Sequence, residues 1–512
     1  MDWSDGYVAD INYNSHYYAE LNPIRMQLAL LNAGYKPPKI ENACELGFGQ
    51  GISVNVHAAG ESETRWYGND FLPQQAQAAQ KMAEVVGSKA VLTDESFAEF
   101  CTRPDLPDFD YICLHGIWSW ISDENRSIII DFIRRKLRVG GVVYISYNVL
   151  PGWSSAAPMR ELFNIHARQF QAPAVNSLDK VDAALDYVGK LFDTQPGYVQ
   201  NRPDLIERFK QLGTMNKNYL AHEYFNRDWK PMYFHQIADL LSETKLSFAT
   251  TAAYNELLDE VWLTPEQRAF MDEAPNHILA QQLRDFMVNQ QFRRDIWIKG
   301  GEQLTPEQSL ELIREQRVVL ATLPDEVKYE VSLGGRTVTL QEEIYRPLIS
   351  VLSDHKPHDI GSLIDGFSGA EVQPLQVLQA IMVLIGVNHV IPGQSAKAAK
   401  AAEATIRRFN TAALQNSAHT DESSIIASSF SSSGLPVDPV TLRMLRYLKL
   451  DRMKPADVVT RISEELATAG RVMRVDGEPA KDQAANLGEI RRVVERLTDR
   501  VIPVFEGNGY LF

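Results

Sequence analysis

The residues with the most chemistry to offer lie at positions 40–51, read together with Asp70. The stretch IENACELGFGQG runs from apolar residues into an acid, Glu45, and three alternating glycines, Gly47, Gly49 and Gly51. A second strand-like run, WYGND, ends on Asp70, about 20 residues further on, as in nucleotide-type sites. Glycines let a backbone approach a ligand closely, and the helix start behind them offers unpaired N–H groups. The acid can accept hydrogen bonds from both hydroxyls of a ribose. The spelling E-x-G-x-G-x-G lacks the G-x-G-x-x-G frame. It suits S-adenosylmethionine better than a dinucleotide, because no pyrophosphate has to meet a helix dipole. A Gly-rich turn by itself also serves a plain strand-to-helix connection, so the surrounding elements must decide.

Those elements alternate. Strand patterns at 40–46, 65–70, 90–93, 109–115 and 142–147 are separated by helical ones. One helix turns Ala76, Ala79, Ala83 and Val86 inward, and another runs over 123–138 and ends at Gly140-Gly141. Such alternation predicts an α/β fold with a doubly wound parallel sheet. Ligands then sit outside the carboxyl ends of the strands, which carry Glu45 to Gly51, Asp70, Asp94, His115 and Tyr147-Asn148. This core spans 36–153, behind a cap segment (1–35) in which Tyr13, Tyr17 and Tyr18 cluster and Pro23 opens a helix with Met26, Leu30 and Leu31.

After Pro151 the alternation stops. Met159, Leu162, Phe163, His166 and Phe170 share one helical face. Val181, Ala184, Leu185, Val188, Leu191 and Phe192 share a second, and Leu205, Phe209 and Leu212 a third. These define a helical insertion over 154–218. The segment 219–300 completes the sheet with a helix at 234–244, a strand at 246–251, a helix over 265–287, and FRRDIWIKG as a seventh, antiparallel strand. Residues 301–395 hold a hairpin about Gly334-Gly335 and three helical patterns, a winged-helix-like accessory module. An Ala-rich, then Ser-rich stretch (396–434) reads as exposed helix and flexible linker, and 435–512 as a C-terminal helical region.

Composition bounds the function. At 512 residues two or three domains are expected. No apolar run reaches the roughly 18 residues of a membrane span, and MDWSDGYVAD lacks the basic and apolar parts of a signal peptide, so the expectation is cytoplasmic. Cys44, Cys101 and Cys113 show no C-x-x-C spacing and read as structural thiols. His355 and His358 have no third ligand nearby, and no metal site is expected. The net charge of −15 argues against nucleic acid and favours a cationic acceptor. None of these patterns fixes the oligomeric state.

ELGFGQG, DFDYICLHGIWSWIS and LRVGGVVYISYNVLPGW together resemble class I S-adenosylmethionine-dependent methyltransferases. More narrowly they resemble the subgroup with a methyltransferase regulatory domain, which includes bacterial protein-lysine methyltransferases acting on outer-membrane proteins. Both H-G-x-[WY]-S-W and S-Y-N-x-L-P-G-W are complete, and YLAHEYF and PMYFHQ match the regulatory segment. The resemblance implies a seven-stranded Rossmann-like sheet with S-adenosyl-L-methionine as cofactor. Glu45, Gly47, Gly49 and Gly51 would cradle its methionine and ribose, Asp70 would take the ribose hydroxyls, Phe71 would lie beside the adenine and Asp94 would accept from its amino group. His115 would open onto the methyl. Phe48 departs from the commoner Cys or Thr and should alter packing near the methionine.

Methyl transfer from a sulfonium is mostly positioning, for which alignment supplies about 7–11 kcal/mol. Aromatic faces attract such cations by roughly 0.5–2 kcal/mol. Trp118, Trp120, Tyr147 and Trp153 are placed to wall the site. A lysine acceptor adds a deprotonation cost of about 4.6 kcal/mol at pH 7, and His115 or Tyr147 could receive that proton. Asn148 joins His115, Trp118, Trp120 and Tyr147 as a candidate catalytic residue, although it could equally satisfy backbone groups of the Pro-Gly turn. Two alternatives stay open: a sugar hydroxyl of a surface polysaccharide or another small molecule as acceptor, and a regulator that holds the cofactor without turnover.

Overall fold

The computed structural model describes residues 8, 10–11, 16–170, 175–333, 336–367, 372–418, 424–475 and 477–512. Tyr13 and the Gly334-Gly335 turn lie outside them. Seven strands form the central sheet: β1 (Asn42–Leu46), β2 (Arg65–Asn69), β3 (Val91–Thr93), β4 (Phe109–Leu114), β5 (Leu137–Asn148), β6 (Leu246–Thr251) and β7 (Phe292–Lys299). Their order is β3-β2-β1-β4-β5-β7-β6. The first five run parallel, and β7 is antiparallel to both neighbours, as FRRDIWIKG predicts. The chain order reverses between β1 and β4, the topological switch where doubly wound sheets open a crevice.

Strand alternation sorts side chains into two cores. Ala43, Tyr111, Cys113, Tyr144 and Ile296 join one cluster with α1 (Pro23–Asn32), α2 (Ile52–Gly60) and α3 (Pro73–Val86). Cys44, Ile112, Leu114, Val143, Ile145, Tyr147 and Trp297 join the other with α4 (Phe97–Thr102), α5 (Asp123–Lys136) and the helix Phe234–Ser242. Buried helices on both faces explain why β1 and β4 read as continuous apolar runs. The caps follow the sequence. Asn22 accepts the Ile24 N–H at 2.8 Å ahead of Pro23, and Gly87 closes α3 at φ +69°.

Two expected boundaries change. Gly140-Gly141 do not end a helix; α5 stops at Lys136, and β5 begins immediately. The glycines sit in β5 where its register with β4 shifts between Phe109 and Tyr111, and Gly140 takes φ +82°. The single helix expected over 265–287 is two, Pro265–Asp272 and His277–Val288, because Pro275 removes a donor and Asn276 caps the second helix.

The insertion consists of α6 (Ala157–Gln169), α7 (Ser177–Asp193) and α8 (Pro203–Leu212), which pack with α9 (Lys217–Tyr224) of the following segment around a core of Phe163, Val181, Val188, Leu205 and Ala221. Beyond the sheet, Glu330–Leu333 and Arg336–Thr339 pair as a hairpin ahead of the helices Glu342–Leu352, Ile360–Gly366 and Pro374–Gly386. A three-stranded sheet of Arg317–Leu320, His358–Asp359 and Val390–Gly393 packs with them. Among the described residues no helix is long and apolar enough to cross a membrane.

The stretch expected as a flexible linker is a seam instead. Ala396–Asn416 is one helix, tied to the core by Thr405 Oγ1 donating to the Ala59 carbonyl and Arg408 Nε to that of Val86, both at 2.6 Å. Ser428, Ser429, Ser431 and Ser432 are at most 4% exposed, and Asn22 Nδ2 donates to the carbonyls of Ser431 and Ser432. Small hydroxyl residues fit here because Gly60 leaves no space; a Cβ on Gly60 would stand 2.4 Å from Ser432 Oγ and 2.8 Å from its Cα. Gly60→Ala is therefore expected to lower the thermal unfolding midpoint through an overpacking cost of about 1–3 kcal/mol. An unchanged midpoint would show that the seam yields freely.

Candidate active site

The Gly-rich turn is held from two sides. The Gly47 and Phe48 N–H groups donate to the Asn69 carbonyl at 2.8 and 3.1 Å. Asp70 accepts from the Gly49 N–H at 2.8 Å with one oxygen and from the Leu72 N–H at 3.0 Å with the other. Gly47, Gly49 and Gly51 take φ of +65°, +59° and +70°. A Cβ on Gly47 would lie 2.3 Å from Ile117 Cδ1, so the HGIWSW segment packs directly against the turn.

Glu45 is 4% exposed and its Oε2 has no hydrogen-bond partner. Burial, reinforced by the Asp70 charge, pushes its carboxyl up to about 8. Burial also raises Asp70 to about 7 against the two N–H bonds it accepts. Two buried carboxyls at one strand edge, one with a free oxygen, can accept from hydroxyls and offset a cation. Half-buried Phe71 follows Asp70, and exposed Asp94 lies on the loop after β3. Phe48 does not line the turn: its ring is 6% exposed and fills the space over Gly68, in the core.

His115 follows β4 on the face that holds Tyr111 and Cys113. Its Nδ1 is 2.8 Å from the Tyr144 hydroxyl, and the Tyr18 ring stacks on it at 3.9 Å. Phe292 meets it edge-on at 6.0 Å. Burial pulls the imidazole down to about 4, only partly opposed by Glu20, so it is neutral at pH 7. Arg294 pairs with Glu20 at 2.9 Å and Glu256 at 3.4 Å. The Gly116 N–H donates to Ser146 Oγ at 2.8 Å, and Asn148, two residues on, shares that face of β5. Asn148 is 3% exposed, and its backbone N–H donates to Ser119 Oγ. Its polar neighbour is the Glu223 carboxyl.

Three of the expected aromatic walls face elsewhere. The Tyr147 hydroxyl donates to Asp295 Oδ2 at 2.6 Å on the opposite face of the sheet. Asp295 in turn pairs with Arg293 at 2.9 Å, and Arg293 with Asp285 at 2.6 Å. Burial, then the Asp295 charge, drives the phenol well above its ordinary value, which keeps Tyr147 a neutral donor to Asp295. Trp118 is fully buried in the same core. Trp153 belongs to the insertion, with Trp229 at 5.1 Å and the Arg208 guanidinium 4.3 Å over its ring. Trp120 is half-buried. Tyr18, Glu20, Phe292, Arg294 and Glu223 escape the sequence reading as site residues. The pair Arg293-Arg294 and the YLAHEYF match were the available signals.

A model of a predicted methyltransferase regulatory domain matches residues 216–299. An uncharacterized Synechocystis protein, sll1526, is 33% identical over 513 residues, covering 99% of this chain and all of that one. An uncharacterized Rickettsia prowazekii protein, RP789, is 26% identical over 66% of this chain and 61% of its own. Among solved structures, PKMT2 from Rickettsia typhi in complex with AdoHcy superposes with a TM-score of 0.70 at 15% identity, covering 98% of this chain and 99% of that one. The sheet, its crevice and the regulatory segment define a class I methyltransferase fold. The chain belongs to the family of class I S-adenosylmethionine-dependent methyltransferases that carry the methyltransferase regulatory domain.

Tyr147→Phe is expected to cost about 1.5–3 kcal/mol of stability, the worth of a hydrogen bond to a buried charge, with methyl-transfer turnover within about twofold of wild type. A hundredfold loss of turnover at unchanged stability would return Tyr147 to the chemistry.

Proposed function

We propose that this enzyme methylates the side-chain amine of a protein lysine, using S-adenosylmethionine and leaving S-adenosylhomocysteine. In this reading Glu45, Gly47, Gly49 and Gly51 hold the methionine and ribose, Asp70 the ribose hydroxyls, and Phe71 and Asp94 the adenine. His115 lies beside the methyl group, with Trp120 and Asn148 at the acceptor side. The bound cofactor supplies an activated methyl group on a sulfonium; the protein supplies position and exclusion of water. The observation that carries the amine reading is the lining on the His115 face: the aromatic rings of Tyr18 and Phe292, with the Glu223 carboxyl beside Asn148 on the same face of β5. Aromatic faces and acids attract an ammonium and, by desolvation, ease its loss of a proton. The likeness to PKMT2, solved with AdoHcy, supports the same reading.

We also place the enzyme in the cytoplasm, since Cys44, Cys101 and Cys113 are all free and buried. The winged-helix-like region over 301–395 is our candidate for recognising the acceptor protein.

Transfer of label from radiolabelled S-adenosylmethionine into a lysate, separated into protein, polysaccharide and small-molecule fractions, tests this function. Label in protein hydrolysates as methyl-lysine is expected; label confined to glycan would replace the acceptor with a sugar hydroxyl. Asp70→Ala should weaken cofactor binding at least tenfold, and His115→Ala should abolish turnover with cofactor affinity kept. Retained turnover would remove His115 from the chemistry. The buried Glu45 carboxyl is mostly protonated at pH 7, whereas a cationic ligand favours its ionised form. Affinity for S-adenosylmethionine should therefore rise with pH up to about 8, the value of the free carboxyl, with proton release on binding. Calorimetry in two buffers reads that release, and Glu45→Gln should reduce it to the part that Asp70, raised to about 7, contributes; equal release by the variant would assign the proton elsewhere.

A further inference from the structure

The regulatory segment brings a carboxyl to the acceptor side of the crevice. Glu223 sits in the last turn of α9, the end of a helix where the backbone dipole disfavours negative charge. The charged groups acting on it are Arg160 from α6 and Arg208 from α8. Both guanidiniums are anchored on other partners. Arg160 donates to the Glu223 backbone carbonyl at 3.3 Å and to that of Asn226 at 2.9 Å, lying 4.5 Å over the Trp229 ring. Arg208 reaches the Tyr224 hydroxyl at 3.4 Å and covers Trp153. They steady the carboxyl's position and leave its oxygens facing Asn148 at the end of β5.

Asn148 connects this carboxyl to the chemistry. It lies in register with Phe292, whose ring meets His115, and on the same face of β5 as Tyr144 and Ser146, which hold His115 and Gly116. Its buried side-chain amide is the hydrogen-bond partner that acts on the Glu223 carboxyl, which holds that carboxyl at the end of β5. Resting on the lysine reading above, we propose that Glu223 is a catalytic residue: its carboxylate binds the incoming lysine ammonium beside Asn148 and takes the proton that must leave before attack.

The ammonium N–H bond breaks, and its proton goes to a Glu223 oxygen. The freed lone pair forms the new N–C bond as the S–CH3 bond breaks, its electrons remaining on a neutral thioether sulfur. The methylated amine departs as a cation, and Glu223 returns its proton to water. Burial raises the Glu223 carboxyl to about 7, against the pull of Arg160, Asn148 and Arg208. Its gap to a lysine is thus about 3 rather than about 6 pH units. His115, pulled down to about 4, is the poorer acceptor.

The test follows tritium from labelled S-adenosylmethionine into methyl-lysine, using as acceptor the protein fraction of cells lacking this enzyme. For the full-length wild type the rate should rise with pH through an inflection near 7. Glu223→Gln should lower the rate about 10²–10⁴-fold and remove the inflection, with S-adenosylmethionine affinity within about twofold. Glu223→Asp should recover part of the rate. Asn148→Asp, which sets a second carboxyl beside Glu223, should move the inflection upward. A Glu223→Gln enzyme keeping more than a tenth of the rate with the inflection intact would overturn the role. So would a loss that only tracks lost cofactor affinity or fold, or an Asn148→Asp profile that does not move. If wild type puts label into glycan or small molecules and none into methyl-lysine, the lysine reading itself fails. Equal methyl-lysine from wild type and Glu223→Gln defeats the Glu223 role alone.

Discussion

One carboxylate organises the crevice. Asp70 accepts the Gly49 N–H and the Leu72 N–H at once, joining the turn after β1 to the turn after β2. That bridge fixes the middle one of three alternating positive-φ glycines, while the Asn69 carbonyl holds the first. The same carboxyl adds to the burial that already raises the cost of ionising Glu45 beside it, so one residue contributes to both the electrostatics and the backbone geometry of the site. Ile117 over Gly47 closes the turn from the β4 side, which couples the HGIWSW segment to the cofactor crevice through packing alone.

Most of the sheet was legible because its signals are local. Strand positions, the alternation with α3 and α5, the antiparallel last strand and the insertion helices all follow from periodicity and turn residues within short windows. Side-chain direction at the site was not. In β5, Tyr144, Ser146 and Asn148 face the His115 side while Val143, Ile145 and Tyr147 face the other. A strand buried on both faces carries no polar alternation to say which side is which, so Tyr147 looked equivalent to its neighbours. Its true partner, Asp295, is 148 residues away. The Ser-rich seam misled for a related reason: serine composition reads as solvent-exposed linker, whereas here the hydroxyls and small volumes serve a tight contact with Gly60.

The acceptor side is assembled from distant segments. Tyr18 and Glu20 come from the chain ahead of α1, Phe292 and Arg294 from the last strand, and Glu223 from the start of the regulatory segment. In the sequence Glu223 stands only within YLAHEYF, a match to the regulatory segment that assigns it no role. What gives it meaning is Asn148, and that proximity exists only in the folded chain. The cofactor half therefore sits in contiguous motifs, while the acceptor half depends on tertiary packing between the sheet edge, the cap segment and the regulatory segment.

The most direct test of this account is a crystal structure of the enzyme with S-adenosylhomocysteine. The ribose is expected at Asp70 and the thioether sulfur on the His115 and Tyr18 side of the sheet, facing Asn148 and Glu223. A sulfur directed toward Trp118 and Tyr147, or a ligand that leaves the turn between Gly47 and Gly51 untouched, would contradict it.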